Sequence, residues 1–322
     1  MDAQVLVPLT AVIYLLMGLY GVIHNLLTLF IFLTNPEFSK PMYTLMSSLC
    51  LCDALELIVT ALYPAYRLLC TPQTMSVTPL DEYMGWFSLL FWWAGGAMFV
   101  LIAINRYVAI RHWTKMADWF SPRKTLCYII APHFILWTIY TPYFYLYDRE
   151  IMPYNQWAMT FYFPHAFTRN FNRTYNTVCA TSQITLNILT IKAVRDFRRK
   201  QPTGAIQTSE AVMSENRIRQ ESQLNKQCFI TSTAFCLAVY CFQLLLILQQ
   251  YIEPRRSYGA IVHIAWLGNH ICNPGVYAAF NRPLRQITMH WLRALLCLKP
   301  KLSATVATTT VVAIQPHLGN NK

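Results

Sequence analysis

Charge is scarce in this chain. Of its 322 residues only 12% are Asp, Glu, Lys or Arg, and only 14 residues are acidic. A water-soluble domain of this size carries about twice that charged share, so an ordinary soluble enzyme is excluded. No long stretch alternates polar and apolar residues over segments of about 10 residues, which argues against a membrane β-barrel. The matched half-repeats and numerous intramembrane charges of a transporter are missing. The eight histidines are scattered, so no midplane cluster of His and acids suggests a membrane enzyme. No basic region precedes the first apolar run, which is also too long for a signal-peptide core, so no cleaved leader is expected. The chain has no internal repeat and no stretch that reads as a soluble domain, which leaves its excess of basic residues no nucleic-acid-binding module to act through.

What is present is apolar: 55% of the residues are hydrophobic. Several uncharged runs exceed the roughly 18 residues that cross a bilayer. Backbone groups in lipid must bond internally, so these runs are expected to be helices. Seven spans are expected, near Pro8–Leu33, Met42–Leu69, Tyr83–Ile110, Lys124–Tyr147, Thr174–Val194, Gln227–Tyr251 and Ser257–Phe280. The fifth is the weakest: Tyr175 to Asn187 is uncharged but polar, and it spans only if its polar face meets other helices or a wet cavity. The sequence therefore reads as an all-α membrane protein. Residues 1–298 form one seven-transmembrane helix bundle closed by a short amphipathic cytoplasmic helix, and 299–322 form a flexible cytoplasmic tail.

Basic residues orient the bundle. With the N-terminus outside, Arg67, Arg149, Arg169, Arg173, Arg255 and Arg256 lie outside and the other twenty of the 26 Lys and Arg lie inside. That bias predicts an external N-terminus and a cytoplasmic C-terminus. It also explains the net charge of +12 as topology and attraction to anionic inner-leaflet lipid. Of the ten cysteines, eight fall within spans, where Cys behaves as a small apolar residue; redox compartment is not read from them.

Polar residues at membrane depth are the candidate functional ones. Asp53 and Glu56 lie inside the second span, and a charge there costs roughly 2.5–3.5 kcal/mol on insertion scales. Asp53 is close to the midplane. Asn25 sits midway along the first span, and Asn269 and Asn273, four apart, share a face of the seventh. These four form a candidate polar core that takes a sodium ion or a proton, against the plainer reading of a passive helix lock. Pro274 frees a backbone carbonyl and allows a kink. A kinked helix over a polar centre suits two packings of similar energy. Arg106 ends the third span, where a snorkelling arginine is the plainer reading. Its neighbour is Asn105 rather than an acid, so a resting restraint is sought elsewhere, with Glu221 the candidate. Leu284, Ile287, Trp291, Leu292 and Leu295 recur at helical spacing, as in a helix lying on the inner leaflet. Cys297 at its end is a candidate for palmitoylation. Helical spacing places Ser88 and Trp92 toward the outside of the third span, and Trp266 and His263 toward the outside of the seventh. With Tyr240, Gln243 and Gln183 they outline a candidate ligand pocket, against the reading that the aromatics only pack.

Leu49-x-x-x-Asp53, Asn25, Asn105-Arg106-Tyr107, Trp137 and Asn273-Pro274-x-x-Tyr277 occur in the order found in rhodopsin-like G-protein-coupled receptors, which this chain resembles over most of its length. Within them it is similar to the nematode serpentine chemoreceptors, nearest the T-type (Srt-like) group. The residues that carry this are Met42 to Met46, Cys70-Thr71-Pro72, Leu101 to Arg106, Ala131-Pro132-His133 and His270. The resemblance implies a receptor that senses an external chemical, a small molecule or a peptide, and signals to a heterotrimeric G protein. It further implies a plasma-membrane location, with sensory cilia one such place, and coupling and switching through Asn105, Arg106, Tyr107, Asn273, Pro274 and Tyr277. No cofactor is implied, and no nucleic acid. A transporter or channel and a neuropeptide-type receptor are the competing readings.

The chain also departs from that pattern. Asp81 stands near the place of the usual outer-end cysteine of the third span, so the tie to the second outer loop is absent or made differently. The sixth span lacks proline. The seventh lacks lysine, which excludes a retinal Schiff base. Ser88 stands where amine receptors carry an acid, arguing against a biogenic amine. Gly95 stands where a sodium-coordinating hydroxyl is common, putting sodium at Asp53 in doubt.

Overall fold

A computed structural model describes residues 3–71, 77–146, 152–199, 209–248 and 256–295. Helix α1 spans Ala3–Thr34. Helix α2 (Pro41–Leu57) continues through a π-helical turn (Ile58–Leu62) into α3 (Tyr63–Cys70). Helix α4 covers Pro79–Arg111, a short α5 Met116–Trp119 and α6 Pro122–Leu146. Strands β1 (Tyr154–Asn155) and β2 (Thr160–Phe161) precede α7 (Ala166–Arg199), α8 (Ser209–Leu248), α9 (Arg256–Phe280) and α10 (Arg282–Leu295). Seven membrane-length helical units result, with α2 and α3 counted as one. Among the described residues, four of them, Gln4–Thr34, Pro41–Cys70, Pro79–Arg111 and Asn225–Leu244, are long and apolar enough to cross a bilayer by composition alone.

The polar fifth span is accommodated by its neighbour. Helix α7 buries Asn172, Asn176, Gln183, Asn187 and Thr190. The indole N–H of Trp92 donates to Asn176 Oδ1 at 2.8 Å, and that of Trp93 to Asn172 Oδ1 at 2.9 Å. Two tryptophans of α4 thus satisfy two of the amides that would otherwise face lipid, where an unpaired polar group costs several kcal/mol.

Two prolines open the backbone where function would need it. Pro64 has no N–H to offer the Thr60 carbonyl one turn before it. The helix widens there into the π-turn, and His263 of α9 bonds the freed oxygen at 2.5 Å. Pro274 likewise frees the carbonyl of His270, and Asn25 Nδ2 donates to it at 3.1 Å. Each freed carbonyl is therefore bonded by a side chain of a different helix.

Residues 152–163 form a lid. β1 and β2 pair antiparallel, Tyr154 opposite Phe161 and Asn155 opposite Thr160. Met159 takes the left-handed conformation at φ 54°, a conformation uncommon outside glycine. The buried carbonyl of Met159 is held by the Tyr14 hydroxyl at 2.8 Å. A side chain at Gly85 would collide with the Met152 carbonyl, and one at Gly259 with that of Ala158. Glycine at these two positions lets the lid backbone lie directly on α4 and α9.

At the other end, Asn281 Oδ1 accepts from the Leu284 N–H at 3.1 Å and starts α10, while its Nδ2 donates to the Tyr43 hydroxyl at 3.2 Å. Leu284 is buried, and Trp291 meets Phe30 of α1 edge-on at 5.8 Å. The side chains of Leu292 and Leu295, and Cys297, lie outside the described residues.

Candidate functional site

The mid-membrane acid is enclosed. Asp53 is 2% exposed. Its Oδ1 lies 2.7 Å from His270 Nδ1, and its Oδ2 accepts from Asn273 Nδ2 at 2.8 Å. Of the four residues expected to converge, Asp53 and Asn273 bond directly. Asn25 joins through the His270 backbone. Asn269 is buried but makes no side-chain hydrogen bond among the described residues. The expected four-residue core is therefore corrected: His270 takes the place given to Asn269. It stands one turn before Pro274 of the same helix.

One turn outward, Glu56 is fully buried, and its Oε1 accepts from the Ser88 hydroxyl at 2.7 Å. Ser88 is thereby committed to an acid on the neighbouring helix and does not line the pocket expected of it. His263 is committed too, between the Thr60 carbonyl and the Thr160 hydroxyl of the lid at 3.4 Å.

A cavity of about 20 Å³ lies beneath the lid, room for about one water-sized group. Trp92 and Leu89 of α4, Trp266 of α9, Ala238 and Phe242 of α8, and Asn172 of α7 wall it, and Met152 and Phe163 cover it. Every lining side chain is neutral. Trp92 and Trp266 meet edge-on at 5.6 Å, and the Trp266 indole N–H is buried with no hydrogen-bond partner. Of the expected pocket residues these two are the ones that line it. The buried stripe of α8 runs through Cys228, Thr231, Phe235 and Val239, and Tyr240 falls off it at 42% exposure. Gln243 is spent in tying α8 to the Arg173 carbonyl at 3.2 Å. Gln183 is fully buried, about 16 Å along α7 from Asn172 at 1.5 Å per residue, too deep to reach the cavity.

The outer end of α4 holds a second buried acid. Asp81 accepts from Arg67 Nε and Nη2, each at 3.0 Å, from the Tyr63 hydroxyl at 2.7 Å, and from the Thr78 backbone N–H at 2.7 Å and hydroxyl at 2.6 Å. Thr78 and Asp81 also form the capping box of α4, which satisfies helix-end donors. The lid joins through Gln156, whose Nε2 donates to the Arg67 carbonyl at 2.7 Å. The tie between α4 and the second outer loop is thus made by an ion pair and hydrogen bonds. Burial and the Asp81 charge together raise the Tyr154 phenol well above its ordinary pKa, so the lid tyrosine stays neutral. Composition hid this clasp, but Thr78-Pro79-x-Asp81 is a legible helix start.

At the C-terminal end of α4 Arg106 is 3% exposed, and its Nη2 donates to Asn105 Oδ1 at 2.7 Å. The restraint sought elsewhere is supplied by the adjacent residue, because an amide oxygen accepts from a guanidinium as a carboxylate does, without its charge. Glu221 lies in α8, with its side chain outside the described residues. Tyr107 is partly exposed beside His112, the rings 5.9 Å apart. Tyr277 is 2% exposed and packs 6.2 Å from Phe32.

Comparison with known proteins converges with this geometry. A family model described as the serpentine-type seven-transmembrane GPCR chemoreceptor Srx matches residues 15–281. A protein of Caenorhabditis elegans named as a probable G-protein coupled receptor is 21% identical over 334 aligned positions, which take in 87% of this chain and 66% of the relative. The chain thus spans just under two thirds of that relative's length. The crystal structure of squid rhodopsin superposes with a TM-score of 0.74 at 13% identity, over 93% of this chain and 89% of the other. At that identity the likeness establishes the seven-helix fold alone.

Proposed function

The chain belongs to the Srx family of serpentine seven-transmembrane chemoreceptors, and from that premise we propose that it binds a small neutral molecule from outside the cell and signals to a heterotrimeric G protein. Its family is one of multi-pass membrane receptors and not of enzymes. The motifs that resemble the T-type group are kept as features shared among serpentine receptors, since the matching family model is the Srx one.

The observation that carries this reading is a covered cavity directly connected to a buried switch. Trp92 lines the cavity, and its ring stands edge-on to His270 at 5.5 Å. His270 in turn meets Asp53. A group that moves Trp92 therefore bears on the kinked part of α9. An all-neutral lining favours a neutral ligand, because a charge brought there is desolvated without a partner. The small volume favours a compact molecule whose entry displaces lid or helix side chains. Arg106, Asn105, Tyr107 and Tyr277 are the residues proposed to couple to the G protein, at the end where basic residues concentrate.

The location proposed is the plasma membrane of a sensory cell, its cilia included, with the N-terminus outside. An N-terminal epitope tag is expected to be stained by antibody on intact cells, and a C-terminal tag only after permeabilisation. Reversed staining would place Arg106 on the wrong side for a G protein.

The polar centre yields a separate expectation. Asp53→Asn keeps the size of the side chain and removes a costly intramembrane acid, so surface level should hold. The bond to His270 changes, and with it the balance between the two packings of α9. A change of about 1.4 kcal/mol alters their ratio about tenfold. Basal and stimulated signalling at matched surface level should both depart from wild type by about that factor. Unchanged values for both would make Asp53 a passive lock between helices.

A further inference from the structure

A sodium ion is one of the two guests considered for the mid-membrane acid, and the residues around Asp53 do not fit one. A cation needs oxygen lone pairs. Here each carboxylate oxygen already faces a nitrogen of α9: His270 Nδ1 at 2.7 Å on Oδ1 and Asn273 Nδ2 at 2.8 Å on Oδ2. The amide of Asn273 turns the positive end of its N–H toward the acid. The 2.7 Å contact between His270 Nδ1 and Asp53 Oδ1 sets the imidazole directly against the carboxylate, on the side that α9 presents to it. The third span adds no oxygen. Gly95 has no hydroxyl, and a Cβ there would face the Leu49 side chain at 3.7 Å. Asn269 on α9 and Asn25 on α1 carry buried side-chain oxygens with no hydrogen-bond partner among the described residues, and neither residue's side chain is bonded to the acid.

We propose that the imidazole of His270 takes the place of a bound cation, so that the Asp53–His270–Asn273 cluster is closed to sodium and the switch is held by a bond between α2 and α9. The proposal rests on the receptor reading and deepens it. It replaces an ion that senses its bulk concentration with a side chain that senses the cavity, because the ring of Trp92 lies between the two. A ligand alters a conformational balance only through differential affinity for the two states, and the state described offers sodium no site.

The test is the melting temperature of the purified full-length protein in sodium, potassium and N-methylglucamine chloride at equal ionic strength. A cation that binds only the folded state stabilises it by mass action, about tenfold in the folding equilibrium at about ten times its Kd. The expected result is the same melting temperature in all three salts across the sodium titration. A sodium-specific, concentration-dependent rise in the wild-type protein overturns the proposal. His270→Ser removes the ring and leaves a hydroxyl; it should acquire a sodium-specific rise. If His270→Ser is folded and as indifferent to sodium as wild type, the closure is not due to His270 and the assignment fails. If it does not fold, the wild-type titration alone decides. Receptor function is read separately through G-protein activation, so failure of this proposal and failure of the receptor reading are told apart.

Discussion

Arg106→Ala is expected to bring G-protein activation to background while the protein still reaches the cell surface. The guanidinium is 3% exposed, and burying a charge carries a desolvation cost. Removing it relieves that cost, so folding has little to lose. What is lost is the one cationic group that the Asn105-Arg106-Tyr107 motif presents at the C-terminal end of α4. If that group contributes 1.4 kcal/mol or more to the active complex, activation falls by about tenfold or more. The converse follows from the bond between Arg106 and Asn105 at 2.7 Å. A hydrogen bond to a charged group contributes roughly 1.5–3 kcal/mol. Asn105→Ala should therefore weaken the hold on the arginine and raise basal signalling. Nucleotide exchange on the G protein in membranes of matched receptor content reads both. Wild-type exchange by Arg106→Ala would remove the residue from the mechanism.

Asp81→Ala is expected to be the most damaging single change for folding. It leaves Arg67, 7% exposed, as a buried cation without its bidentate partner, and it removes the acceptor used by Tyr63 and the start of α4. Breaking a buried pair from one side costs on the order of 3–5 kcal/mol, a large part of the 5–15 kcal/mol that a typical domain has. Surface expression should fall nearly to zero. Replacing both partners with apolar residues is often neutral, so Asp81→Leu combined with Arg67→Met should recover much of the surface level. Gln156 bonds the Arg67 backbone carbonyl rather than its side chain, so the lid keeps its anchor in the double variant. A wild-type surface level for Asp81→Ala would mean that the clasp holds nothing. The same outcome is read quantitatively as an unchanged melting temperature.

Much of this was legible in the chain itself. Runs of uncharged residues marked the helical units, because lipid imposes internal bonding on any segment of that length. The Asn-Pro pair marked the kink, because a missing N–H is a local property. Side-chain pairing across helices was less legible. Helical spacing puts Ser88 and Trp92 near one face, yet one bonds an acid and the other walls the cavity, a choice made by what α2 and α7 present to them. Tyr240 was misplaced because the stripe it was assigned to is set by how α8 rotates against α7 and α9. His270 was quoted as a motif residue without a partner, since nothing local tells that its ring meets Asp53 across the helices. The Arg67–Asp81 clasp joins residues 14 apart on α3 and α4; Thr78-Pro79-x-Asp81 marked the start of α4, but nothing local named Arg67 as the partner.

The central claim is that this protein passes an external signal to a G protein and moves no solute itself. The most direct measurement is G-protein dissociation in cells, recorded across the G-protein classes as expression of the full-length chain is raised, alongside whole-cell current and solute uptake in the same cells. The account predicts that dissociation of at least one class rises with receptor level, that Arg106→Ala abolishes the rise at equal surface level, and that current and uptake stay at background. Current or uptake that grows with expression, with every G protein quiet, would contradict it.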